Sequence, residues 1–267
     1  MFIDSHCHLD ASEFGNSAAL CSEEAGAAGV SWIIVPAVER ANFETVAQLS
    51  ATLPSCVYGL GIHPMYVPNA SEGDLALLRE RVQRALNDQR FVAIGEIGLD
   101  FFIPELMTPP QRAKQEFFYT EQLKIARDFN LPVILHVRRS QDILLKHLRR
   151  IRVSGGIAHA FNGSQQQARA FIDLGFVLGF GGAMTFTRAL QIRRLAVALP
   201  LAAIALETDA PDISPAWLHP AKNSPAQIPR IAAVLAELRG QSLSEIAQQT
   251  TSNVARVLPR LGSLMMA

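Results

Sequence analysis

The chain has 267 residues, 49% of them hydrophobic, with 24 basic residues against 24 acidic ones, so it can bury a large core and carries no overall field that would gather a polyanion. Three cysteines without a CxxC pair argue against a disulfide framework and for a reducing, cytoplasmic setting, and the N-terminus lacks the basic, apolar and small-residue regions of a secretory signal. The longest apolar run, residues 195–206, is broken by Pro200 and is too short to span a bilayer, which leaves a soluble chain with no membrane partner.

The chain opens on an apolar run, Met1-Phe2-Ile3, that reads as a strand leading into Asp4-Ser5-His6-Cys7-His8-Leu9. Strand side chains alternate, so His6 and His8 share one face and Cys7 takes the other. Residues 17–28 follow at helical spacing and stop at Gly29, 31–36 reads as a buried strand, and 42–52 as a second helix. The cycle then repeats, with strands at 57–63, 91–99, 132–137, 156–161, 176–181 and 204–209 and helices at 75–86, 108–129, 142–150, 165–174 and 188–199. Thr108-Pro109-Pro110-Gln111, Ser224-Pro225-Ala226-Gln227 and Ser242-Leu243-Ser244-Glu245 have the form of capping boxes, the last two opening closing helices that end near Pro259. Short β-branched runs alternating with helices predict parallel βαβ units, and eight of them close into a (βα)8 TIM barrel of about 250 residues. An open doubly wound sheet would carry a glycine-rich phosphate loop after the first strand, and none is there. No linker or charge block divides the sequence, so residues 1–267 are expected to form a single barrel domain.

The ends of the strands supply His6 and His8, His63, Glu96, His136, His159 and Asp209. Barrel enzymes build their sites at this end, so these groups are expected to converge, and all are of metal-ligand type. Left unpaired, each buried group would cost about 1–3 kcal/mol, which favours a shared metal over separate structural roles. Four histidines and two carboxylates exceed what one catalytic zinc takes, so the expectation is two divalent ions: His6, His8 and Asp209 on one, His136 and His159 on the other, and Glu96 between them. Such a pair activates water for hydrolysis. Glu207 and Asp4, two residues before a ligand, either hydrogen-bond that ligand or serve a structural ion pair. His147 and His219 read as surface or packing residues. The clusters Arg138-Arg139, Arg149-Arg150-Ile151-Arg152 and Arg193-Arg194 read as solvated faces.

In order along the chain, Asp4-Ser5-His6-Cys7-His8-Leu9-Asp10, Gly61-Ile62-His63-Pro64, Gly95-Glu96-Ile97-Gly98-Leu99-Asp100, Leu135-His136-Val137-Arg138, His159-Ala160-Phe161-Asn162-Gly163-Ser164 and Glu207-Thr208-Asp209-Ala210-Pro211 resemble the signatures of the TatD family of metal-dependent hydrolases. Residues 179–186 look most like its YjjV branch. The resemblance implies an amidohydrolase-like barrel and a divalent-metal deoxyribonuclease, of 3′ to 5′ exonuclease type, using two ions of zinc, manganese or magnesium. It places the metal on His6, His8, Glu96, His136, His159 and Asp209 and sets His63 beside the substrate. Ala160, Asn162 and Lys222 depart from the family's usual Cys, Ser and Arg, and bear on substrate preference. The reading is therefore phosphodiester hydrolysis at nucleic-acid ends, single-stranded DNA first and RNA second, with Asp209 as base, Glu96 and His63 as the other catalytic residues, and no obligate protein partner. Tyr66, Phe101, Phe102, Phe161 and Trp217 are candidates to stack bases. The alternatives are an amide or ester hydrolase, with aminoacyl-tRNA among its substrates, and an inactive metal-binding barrel, against which the complete ligand set argues.

Overall fold

A computed structural model describes residues 1–266. Eight parallel strands pair in sequential order: β1 (Phe2–Asp4), β2 (Val30–Pro36), β3 (Cys56–Leu60), β4 (Phe91–Asp100), β5 (Val133–Arg138), β6 (Gly156–Ala158), β7 (Phe176–Phe180) and β8 (Ile204–Leu206). Between them run α1 (Ala18–Ala27), α2 (Phe43–Thr52), α3 (Glu72–Ala85), α4 (Pro109–Asp128), α5 (Gln141–Arg150), α6 (Gln165–Asp173) and α7 (Leu190–Ala198), and the chain closes with α8 (Ile228–Arg239), α9 (Leu243–Val257) and α10 (Pro259–Leu264). This is the expected (βα)8 barrel. No helix among the described residues is long and apolar enough to cross a membrane.

The seam between β8 and β1 is held by a few main-chain bonds, Ser5 N–H to Leu206 O at 3.0 Å, Asp209 N–H to His6 O at 2.8 Å and His8 N–H to Ala210 O at 2.8 Å. The Asp4 carboxylate reinforces it by accepting from the Thr208 N–H at 3.0 Å and the Thr208 hydroxyl at 2.5 Å. Burial pushes the Asp4 carboxyl up to about 8, against the Thr208 hydrogen bonds that pull it down. Asp4 therefore serves the barrel seam and also accepts the His6 main-chain N–H, at 3.3 Å.

Alternation along each strand separates two cores. Ile33 and Val35 pack among the helices, whereas Ile3, Ile34, Val57, Val92, Ile134, Ile157, Val177 and Ala205, one from each strand, fill the barrel floor. Val254 and Val257 of α9, Leu258 at the junction and Leu261 of α10 plug that floor from below. The chain thus does not finish its helices near Pro259: this proline occupies the first turn of α10, where its missing N–H costs nothing. Ser242 and Glu245 form the expected capping box, but Thr108 and Ser224 make no side-chain cap bond. The prolines that follow them fix the helix entry and remove first-turn donors.

β3, β6 and β8 stop three residues short of the expected ends. Ala160 and Asp209 take left-handed backbone, with φ of 44° and 56°. Those residues leave the ladder and turn over the barrel mouth, which is where the site lies.

Candidate metal centre

All seven strand-end groups meet at the mouth. His6 and His8 follow β1, and Cys7 between them turns outward into the helical layer, its Sγ 3.7 Å from Ala210 O, as alternation requires. Glu96 lies within β4 and His136 within β5. Their strands approach closely because Gly98, at φ +149°, has no Cβ to strike the His136 carbonyl. His63 is set by a clamp from α4, where the buried Gln122 accepts the Ile62 N–H at 2.7 Å and donates to Ile62 O at 3.0 Å. Two turns earlier Gln115 accepts the Asp100 N–H at 2.9 Å. One helix face thereby fixes two segments at the barrel mouth, a role that sequence pattern does not disclose because a glutamine on a helix usually faces water.

Glu96 is the centre of the constellation. Its Oε2 is 3.2 Å from His6 Nε2 and 3.4 Å from His8 Nε2. Its Oε1 is 2.9 Å from His136 Nδ1, 3.4 Å from His63 Nε2 and 3.5 Å from His159 Nε2. Asp209 Oδ1 lies 3.5 Å from His6 Nε2 and 3.7 Å from His8 Nε2. Donors about 2.0–2.1 Å from one ion stand about 3 to 3.4 Å apart at right-angled or tetrahedral geometry, so these separations are those of neighbouring ligands. Three groups meet the spacing: His6, His8 and Asp209; His6, Glu96 and His159; and His63, Glu96 and His136.

The hydrogen-bond chemistry separates true ligand candidates from neighbours. His136 Nε2 is 3.1 Å from Asp100 Oδ2; burial opposes charge on Asp100, but His136 together with the Phe102 and Ile103 N–H bonds outweighs it and holds the carboxyl at about 2. In the neutral ring that nitrogen donates and the lone pair of Nδ1 faces the Glu96 carboxylate, an arrangement that a cation there, metal ion or proton, resolves. His6 Nε2 and His8 Nε2 are likewise 3.2 Å apart, ring nitrogen to ring nitrogen, and the buried His6 Nδ1 has no partner. The residues therefore fit divalent metal. His63 differs. Its Nδ1 accepts the Met65 N–H at 3.1 Å, which leaves the proton on Nε2 and makes that nitrogen a donor. Although its spacing fits a ligand, its tautomer suits a place beside the substrate.

Burial would raise the Glu96 carboxyl, but His63, His6 and His159 outweigh it and hold it well below the usual range. Asp209 behaves oppositely: burial lifts it to about 6 against the pull of His159 and His8. His63 is driven down to about 4, chiefly by burial, and so is neutral near pH 7.

Outer partners orient the rings. His159 Nδ1 lies 3.3 Å from Glu207 Oε1 without a hydrogen bond, and that oxygen accepts the Ala160 N–H at 2.6 Å. Glu207 packs on Gly179, where any Cβ would fall on the carboxylate. Asp100, the His136 partner, is the residue that strand-end reasoning missed; it lies four residues after Glu96 in the same strand. Asp100→Ala should weaken metal binding about 10- to 100-fold in a chelator competition. Asp100→Asn, which still accepts from His136, should recover part of it. Equal affinity in all three proteins would remove Asp100 from the site.

The mouth is a cavity of about 1000 Å³ that contains His8, His63, Glu96, His136, His159 and Asp209. Of the five aromatics expected to stack bases, only Tyr66 and Phe102 line it. Phe101 and Phe161 are buried in the helical layer, and Trp217 is half-buried with its Nε1–H on Gln227. His147 pairs with Glu116 at 3.0 Å between helices, and His219 packs edge-on against Phe186.

A family model for TatD related DNase matches residues 3–259. The chain is 41% identical to the uncharacterized metal-dependent hydrolase YjjV of Escherichia coli K12, over 94% of this chain and 95% of that one. It is 30% identical to the human deoxyribonuclease TATDN3, over 98% of this chain and 96% of that one. The crystal structure of YjjV from E. coli K12 superposes with a TM-score of 0.89, covering 97% of this chain and 98% of that one.

Proposed function

The chain belongs to the TatD family of metal-dependent hydrolases, and from that premise we propose that it is a deoxyribonuclease that removes nucleotides from single-stranded ends with two divalent ions. The observation that carries this reading is Glu96, whose two oxygens face two different sets of imidazole nitrogens. His6, His8 and Asp209 would hold one ion, His136 and His159 the other, and Glu96 both. Zinc, manganese or magnesium bound there supplies Lewis acidity toward phosphoryl oxygens and lowers the pKa of water.

The chain's own groups do the rest. Asp209, whose carboxyl opens onto the mouth at 15% exposure, takes the proton of the attacking water. A bond forms between the water oxygen and phosphorus, the bond from phosphorus to the leaving sugar oxygen breaks, and the proton passes to that oxygen. His63 Nε2–H donates to a phosphoryl oxygen as charge grows there. Glu96, buried and ionised, holds the two halves of the site in register.

The test is turnover by protein loaded separately with zinc, manganese and magnesium. Substrates are 5′-labelled single-stranded DNA, duplex DNA, RNA, a small phosphodiester, and ester and amide compounds including aminoacyl-tRNA. Shortening of the labelled strand from its 3′ end, fastest on single-stranded DNA, is expected. Hydrolysis of esters or amides with no phosphodiester cleaved by any metal form would overturn the reading and favour the acyl hydrolase.

A further inference from the structure

Charge is divided around the mouth. The loops after β1 and β2 bring Asp10, Glu13 and Glu39 to the cavity, whereas the loop after β4 brings Phe102 and the end of β5 brings Arg138 and Arg139. With eight strands in sequential order β1 stands across from β5, so the acidic and basic arcs face each other over the candidate metal centre. The arginine pair is thus not the solvated helix face that its sequence suggests.

The basic arc is a built feature. The Phe102 ring is 44% exposed, with the Arg138 guanidinium 4.1 Å and the Arg139 guanidinium 4.6 Å from its centre. The Phe102 main-chain N–H donates to Asp100 Oδ1 at 2.8 Å, and Asp100 Oδ2 receives His136 Nε2. The Phe102 backbone therefore keeps a fixed position relative to the candidate ligands. Arg138 reaches only Asp100, at 3.7 Å, and Arg139 has no ion-pair partner among the described residues. Arg139 also sits in left-handed backbone, at φ 55°, a conformation that costs free energy for a non-glycine residue and collects at functional sites. Two cations held on one exposed ring repel each other unless an anion joins them. Lys222, next to the acidic arc, is already engaged with the Glu13 carbonyl at 2.9 Å.

Resting on the nuclease reading, we propose that Phe102, Arg138 and Arg139 form the subsite for the polymer side of the substrate. A base stacks on the guanidinium-covered Phe102 platform and the adjoining phosphates bind the N–H edges of Arg138 and Arg139. The carboxylates of Asp10, Glu13 and Glu39 face the opposite end, where they accept a sugar hydroxyl and repel a phosphate. The strand accordingly enters over β4 and β5 and presents a free hydroxyl end, which explains removal from an end in place of internal cutting.

The experiment measures binding apart from turnover, by fluorescence anisotropy of a short oligothymidylate with phosphorothioate linkages on metal-loaded protein. Two forms are compared, one ending in a 3′-hydroxyl and one in a 3′-phosphate. Phe102→Ala and Arg139→Ala should each weaken binding of the hydroxyl form about tenfold. Arg139→Ala should also lower the salt dependence by about one counterion. The phosphate form should bind wild-type protein about tenfold less tightly, and Glu39→Gln should narrow that gap. Variants that bind within about twofold of wild type, or equal binding of the two end forms, would overturn the proposal. If binding behaves as expected but the unmodified strand is never cleaved, the nuclease reading fails and the subsite stands.

Discussion

Glu96→Ala should yield a folded protein that has lost both ions and all metal-dependent turnover. The side chain is 1% exposed and is the one group whose two oxygens reach both sets of imidazole nitrogens. Removing it leaves five imidazoles around a cavity with no anion to offset a second cation, and Asp209 alone faces only His6 and His8. Glu96→Gln keeps the shape and one carbonyl oxygen but not the charge, and should retain at most one ion. Elemental analysis and turnover on the same preparations check this, with circular dichroism to confirm folding. A Glu96→Ala protein that keeps two ions and its rate would remove Glu96 from the centre of the site.

The barrel was legible because its strands are short β-branched runs closed by glycine or proline, and because parallel strands buried on both faces need no alternation. The site was legible for a related reason: His6, His8, Glu96, His136, His159 and Asp209 are polar residues set at the ends of apolar runs, where burial without a partner would be costly. What sequence could not show depends on which way a side chain turns after the strand ends. Phe101 and Phe102 are adjacent, yet one packs in the helical layer and the other lies in the mouth. Arg138 and Arg139 carry helix-like charge, but the first ends β5 and the second follows it in left-handed backbone, which brings both to the cavity. Gln115 and Gln122 look like ordinary polar positions on α4, and only their burial identifies them as clamps. The Thr208 bonds to Asp4 join residues at opposite ends of the chain, a pairing that no local pattern encodes.

Asp209→Asn should hold metal and lose catalysis. The residue follows β8 at φ 56°, a region that asparagine tolerates as well as aspartate, so the substitution should leave the backbone in place. Its N–H remains on His6 O at 2.8 Å, and its Oδ1 lies 3.5 Å from His6 Nε2 and 3.7 Å from His8 Nε2. An amide oxygen in that position still serves as a ligand beside two imidazoles. What the amide cannot do is accept a proton. Burial, opposed by His159 and His8, sets the Asp209 carboxyl at about 6, basic enough to take a proton from an activated water and acidic enough to release it to the leaving oxygen. A positioned base of this kind contributes roughly 10² to 10⁴ in turnover, and the variant should lose that much while retaining at least one ion. The pH dependence carries a sign. The working form is the carboxylate, so wild-type turnover should be full above its pKa and fall as pH drops through it. A neighbouring cation favours the carboxylate and moves that limb to or below about 6. In Asp209→Asn the limb should vanish, leaving a low and flat profile wherever metal stays bound. Near-wild-type turnover by a metal-replete Asp209→Asn protein, or an unchanged acid limb in it, would assign the base elsewhere.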